Sequence, residues 1–150
     1  MRRKLAALAG VTCDASSKAD CVQGVVAWYG IFDFSTLGKA PSSAPYRYLG
    51  CNRSGCDPEQ LRAASLLSFV DATDPPMLLI HGVRDRVVPI DQSRSFYKAL
   101  RAQGVKADLI EIPHVDHSFV GATPDVTRKA SLEALDQTFE FIDRTIGKAH

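Results

Sequence analysis

A nearly unbroken apolar run, Met77-Leu78-Leu79-Ile80-His81-Gly82, is the feature that most limits what this chain can fold into. A strand with one wet face alternates apolar and polar residues, whereas a continuous run requires a strand covered on both faces. Residues 91–103 follow as a capped amphipathic helix with Phe96 and Leu100 on one side, ended by Gly104. Residues 107–112 form a third strand, and residues 125–146 a long final helix with Leu132, Leu135, Phe139 and Ile142 at helical spacing. Upstream, residues 23–29 are β-branched and aromatic and end at Gly30, as in a buried strand. Strands alternating with helices predict an α/β fold of about three parallel strands with flanking helices.

Between the first two strands, residues 35–58 hold much of the chain's Pro, Ser and Gly and read as a long excursion; residues 58–67 form a weaker helix. Residues 5–10 read as a helix with a glycine stop. The alternative there is a signal peptide, since Met1-Arg2-Arg3-Lys4 precedes an apolar stretch. Four cysteines fall into two local pairs, Cys13 with Cys21 and Cys51 with Cys56, which suit small disulfide loops. Four cysteines allow three connectivities, and spacing does not choose among them. Disulfides would place the chain in an oxidising setting, periplasmic or secreted, with the cytoplasm as the alternative. Neither pair has zinc-site spacing, and no metal is expected.

A formal net charge of +1 creates no field for nucleic acid or an anionic membrane surface. No apolar run nears the roughly 20 residues needed to span a bilayer. Neither nucleic acid nor a membrane is therefore an expected partner. In an open parallel sheet, ligands bind beyond the carboxyl ends of the strands. There the second strand runs into Arg84-Asp85-Arg86-Val87-Val88-Pro89, and the third into Pro113-His114-Val115-Asp116-His117-Ser118-Phe119. A carboxylate and an imidazole thus face each other across one rim. Hydrolysis by a serine needs this pair, the imidazole to move a proton and the carboxylate to set its tautomer and stabilise its charged form.

The stretches 28–34, 74–89 and 117–119 resemble bacterial α/β-hydrolase esterases of the feruloyl-esterase-like and acetyl-esterase-like kind, relatives of the prolyl-oligopeptidase-type hydrolases. The resemblance runs from Leu5 onward and is carried by His-Gly-x-x-Asp-x-x-Val-Pro with a histidine after it. It implies that Asp85 is the triad acid, that His117 is the base, and that Trp28 and Tyr29 border the substrate. The implied reaction is hydrolysis of a small ester, which needs no cofactor.

The family's nucleophile elbow reads Gly-x-Ser-x-Gly-Gly, a motif that occurs nowhere in this sequence. Arg2 and Arg3 occupy the places of its last glycines. The expectation is thus one partial α/β-hydrolase domain over residues 1–150, the C-terminal part of the sheet, without elbow or preceding strands. A bare strand edge at residues 25–28 predicts a complementary N-terminal half, or a homodimer joined through that edge. Competing readings are an inactive truncated fragment or interaction module, and a serine-free site in which His117 activates water directly. His81 is expected to pack or hydrogen-bond behind the acid loop, and His114 to be exposed. Asp33 and Arg84 suit an ion pair or a substrate contact.

Overall fold

The computed structural model describes residues 22–37, 44–51 and 56–147. The expected helix over 5–10 and the Cys13–Cys21 pair lie outside them. Three parallel strands, β1 (Val25–Trp28), β2 (Met77–Gly82) and β3 (Ala107–Ile112), form a sheet in the order β1-β2-β3. The registers pair Val25 with Met77 and Met77 with Ala107. As the sequence requires, β2 is buried at all six positions, and it lies at the centre of the sheet. Residues 44–48 form a short helix α1 (Ala44–Tyr48), and the later helices are α2 (Pro58–Ala64), α3 (Asp91–Ala102) and α4 (Pro124–Ile146).

The two-residue period of the strands divides the core between two layers. Val25, Met77, Leu79 and Ala107 pack with Phe96 and Leu100 of α3 and with Phe32, whose ring stacks on Phe96 at 4.2 Å between centroids. Leu78, Ile80 and Ile112 turn the other way, onto Ala130, Ala134 and Phe141 of α4. Each fully buried aliphatic side chain contributes about 1.5–3 kcal/mol relative to an exposed one. A third small cluster, Leu37 and Tyr46 with Ile31, Phe34 and Leu61, lies beside the Cys51–Cys56 disulfide.

Helix ends follow local chemistry. Gly104 has φ +78, and behind it the N–H groups of Gly104 and Val105 bond to the carbonyls of Arg101 and Leu100, closing α3 as a Schellman motif. Thr123 caps α4 through its hydroxyl, with Pro124 in the first turn. The helix expected over 58–67 stops at Ala64 and resumes as a 3-10 turn, Leu66–Phe69. Ser65 causes the break: its backbone is extended, and its hydroxyl donates to the Leu61 carbonyl while accepting from the Phe34 N–H.

The apolar stripe of α4 does not face this sheet. Leu132, Leu135, Phe139, Ile142 and Ile146 are exposed, Phe139 by 61%, while the narrower alanine face is buried. Among the described residues β1 pairs only with β2, so its outer edge carries no strand. Urea unfolding should separate the two kinds of apolar residue. Leu79→Ala should cost about 2–5 kcal/mol, and Leu135→Ala should stay within about 0.5 kcal/mol.

Candidate active site

The loops leaving β2 and β3 are bound to each other before any side chain takes part. Val83 N–H donates to the Ile112 carbonyl at 2.9 Å, and Arg84 N–H to the Val115 carbonyl at 3.0 Å. Gly82 permits this approach, because a Cβ there would stand 2.7 Å from the Val115 carbonyl oxygen and 2.9 Å from that of Asp116. Asp116 then ties the loops together. Its carboxylate accepts from the Arg86 N–H at 2.9 Å, from the Arg86 guanidinium, and from the His117 N–H at 2.7 Å. The backbone N–H groups of Arg86 and His117, helped by the guanidinium, lower its pKa to about 2.

This clasp brings together the two residues singled out in the sequence. His117 Nδ1 lies 2.9 Å from Asp85 Oδ2, the carboxylate side chain being fully shielded from solvent and the imidazole 30% exposed. Burial raises the Asp85 pKa, but donors outweigh it, and the carboxyl is held below its usual range. The donors are His81, the Val88 N–H, His117 and the Val87 N–H. A carboxylate only accepts, so Nδ1 carries the proton and Nε2 is left as an acceptor. Among the described residues nothing hydrogen-bonds Nε2. A neutral imidazole held this way can take a proton from a hydroxyl and later return it.

Around the imidazole the backbone departs from ordinary conformations. Tyr29, Ser118 and Phe119 have φ of 44, 58 and 59°, each costing on the order of 1–2 kcal/mol for a residue with a side chain. The bend at the end of β1 sets the Tyr29 ring against His117, 4.7 Å between centroids, and edge-on to Phe119 at 5.1 Å. Trp28 also meets Phe119 edge-on, at 5.4 Å, and its indole N–H donates to Thr138 of α4 at 3.1 Å. Among the described residues no cluster of His, Cys, Asp and Glu could hold a metal ion.

Residues 4–100 match the BD-FAE family model. The chain belongs to the BD-FAE family. Curated relatives of this BD-FAE chain include the esterase LipC of Mycobacterium tuberculosis, 34% identical over 129 residues, which covers 77% of this chain and 32% of LipC. The esterase LipQ of the same organism is 31% identical over 102 residues, 65% of this chain and 24% of LipQ. The chain thus spans about a third or less of the length of these relatives. Among solved structures, Thermogutta terrifontis esterase 2, phosphonylated by sarin, superposes with a TM-score of 0.68 at 20% identity, over 91% of this chain and 49% of that one. A puromycin-hydrolyzing peptidase of Mycobacterium tuberculosis gives a TM-score of 0.65 at 26% identity, over 89% of this chain and 20% of that one. The fold of the BD-FAE chain is that of the α/β-hydrolases.

Several residues here escape a reading of the sequence. Asp33 accepts from the Ser35 N–H and hydroxyl, capping the turn Phe34–Thr36, and makes no ion pair with Arg84. The loop after β1 is instead held by Gln92 of α3. Its amide oxygen accepts from the Phe32 and Asp33 N–H groups, and its nitrogen donates to the Asp33 carbonyl and the Thr36 hydroxyl. A buried Gln on the polar side of a helical pattern looks like a surface residue. Asp116 had one legible signal, its place just before a short helical turn, where Asp is a preferred cap. His114 is exposed, with φ 65°.

Two variants test the clasp. Gly82→Ala should force the loops apart and remove the His117 Nδ1 proton from its hydrogen bond, seen as loss of its downfield proton resonance. Asp116 keeps a lower pKa in the folded chain than the ordinary value of about 3.9. The stability it contributes is therefore whole above about pH 4 and is lost as pH falls toward about 2. Asp116→Asn should flatten thermal melting temperature against pH over that interval.

Proposed function

We propose that this chain carries the acid and the general base of a carboxylic-ester hydrolase, Asp85 and His117. The reading is carried by the 2.9 Å contact between a buried carboxylate and an imidazole whose Nε2 is unengaged among the described residues. Nε2 takes the proton of an attacking hydroxyl as its oxygen closes on the ester carbonyl carbon. Asp85 stabilises the imidazolium, which then gives the proton to the departing alcohol. Water repeats the sequence on the acyl intermediate. Tyr29, against the imidazole, borders the substrate, and Trp28 supports it through Phe119. The relatives' names support an ester as substrate; an acyl or aryl ester of modest size is our own reading. The Cys51–Cys56 disulfide supports an oxidising compartment, periplasmic or secreted. No described helix is long and apolar enough to cross a membrane.

The absence of Gly-x-Ser-x-Gly favours one further reading, that the chain by itself is catalytically silent, a fragment or interaction module. In both readings the outer edge of β1 takes a strand from a complementary N-terminal polypeptide or from a second copy. Direct activation of water by His117 would lack both an acyl-enzyme and an oxyanion hole and would be much slower.

The test is hydrolysis of p-nitrophenyl acetate by the chain alone and mixed with a BD-FAE polypeptide that carries the preceding strands and the serine elbow. The mixture should turn over. His117→Ala should lower its rate about 10⁶-fold, and Asp85→Asn about 10⁴-fold through loss of the required tautomer. Unchanged turnover in His117→Ala would overturn the proposal. No turnover in any mixture would leave the silent reading.

A further inference from the structure

His81 is a buried titratable group that this chemistry leaves unused. It is the fifth residue of β2, on the α3 side of the sheet, with its side chain fully shielded from solvent. Its Nε2 lies 2.9 Å from the Val88 carbonyl oxygen and 3.2 Å from Asp85 Oδ2. Its Nδ1 lies 2.7 Å from the hydroxyl of Ser93, itself buried in the first turn of α3.

Proton counting settles the roles. Nε2 faces two groups that only accept, so it must carry a hydrogen. In the neutral ring Nδ1 is then an acceptor, and the Ser93 hydroxyl donates to it. An imidazolium would turn that hydroxyl into an acceptor and leave its hydrogen without a partner among the described residues. It would also place a charge on a ring fully shielded from solvent.

We propose that Ser93 and His81 are positioning residues for the triad acid: the hydroxyl holds the His81 ring through Nδ1 as the Nε2–H form, which the acceptors at Nε2 require, and that N–H steadies Asp85 Oδ2 at the point where it meets His117. This rests on the reading of Asp85 as the group that orients His117. The count of acceptor sites explains why such a donor is needed. Asp85 Oδ1 accepts from the Val87 and Val88 N–H groups at 2.9 and 2.7 Å. Oδ2 accepts from His117 on one side, and on the other the His81 Nε2–H, bonded to the Val88 carbonyl, stands 3.2 Å away as a shared donor. A carboxylate has about four lone-pair sites, and these donors face all of them, which restricts its rotation. Without the His81 N–H, Oδ2 has a single donor, and the buried Val88 carbonyl loses its partner as well, so the carboxylate can turn toward either deficit.

The test is the imidazole nitrogen spectrum of the full chain labelled with 15N-histidine, read through long-range proton–nitrogen correlations at neutral pH. The parent should show His81 as the Nε2–H form and His117 as the Nδ1–H form. Ser93→Ala and His81→Phe should move the His117 Nδ1 resonance from the pyrrole-like toward the pyridine-like position as the Nδ1–H form loses population. His81→Gln, which keeps a side-chain N–H, should restore it. Ser93→Ala deletes a single oxygen and guards against misfolding of His81→Phe, with the amide spectrum of α4 as the check on the fold. Asp85→Asn should move His117 further than any of them. If Asp85→Asn moves His117 while Ser93→Ala and His81→Phe leave it in place, the positioning role is overturned and the dyad stands. If Asp85→Asn leaves His117 in place, the dyad itself fails. A parent His81 found as the imidazolium or as the Nδ1–H form overturns the proposal.

Discussion

The structure depends on β2, a strand paired on both edges and covered on both faces. Its backbone polar groups are bonded to β1 and β3, and its side chains pack alternately onto α3 and α4. A strand so confined has one register, since a one-residue slip would turn its whole inner and outer set over. The loop that follows it therefore starts from a fixed point. That is the physical basis for placing a charged group there without loss of definition.

From that point the acid loop is held by accumulated small contacts. Gly82 allows the histidine loop within hydrogen-bonding distance, Asp116 spans both loops, and Val87 and Val88 turn their N–H groups onto Asp85. Burial works against the charged carboxylate, but its donors outweigh that and hold its pKa below the usual range. Strained backbone at Tyr29, Ser118 and Phe119 is stored beside the imidazole, where packing of the three aromatic rings over-determines the conformation. On the other side of β2, adjacent residues of α3 divide the work: Gln92 fixes the loop after β1, and Ser93 fixes His81. One helix terminus thereby holds both the loop after β1 and the histidine beside Asp85.

The chain also presents surface that its own described core does not use. Among the described residues no strand pairs with the outer edge of β1, and the apolar stripe of α4 is exposed. The chain spans only part of the length of its relatives. Apolar spacing on α4 was legible as a helix, but which stripe is buried was not, because periodicity states that a face exists and not what lies opposite it.

By itself the sequence determined the alternation of strands and helices, a parallel sheet of about three strands, and the two loops that carry Asp85 and His117. Those follow from local propensities and from apolar patterns that one period of strand or helix reveals. The Cys51–Cys56 pairing was legible as spacing, and the structure chose it among the connectivities that spacing allowed. Only the tertiary structure decided that α2 breaks at Ser65, that Asp33 caps a turn instead of pairing with Arg84, and that Asp116, Gln92 and Ser93 are the residues that hold the loops. Each of those depends on a partner many positions away. A side chain's hydrogen-bonding capacity is written in its own residue, but its use is settled by whatever the folded chain brings within about 3 Å of it.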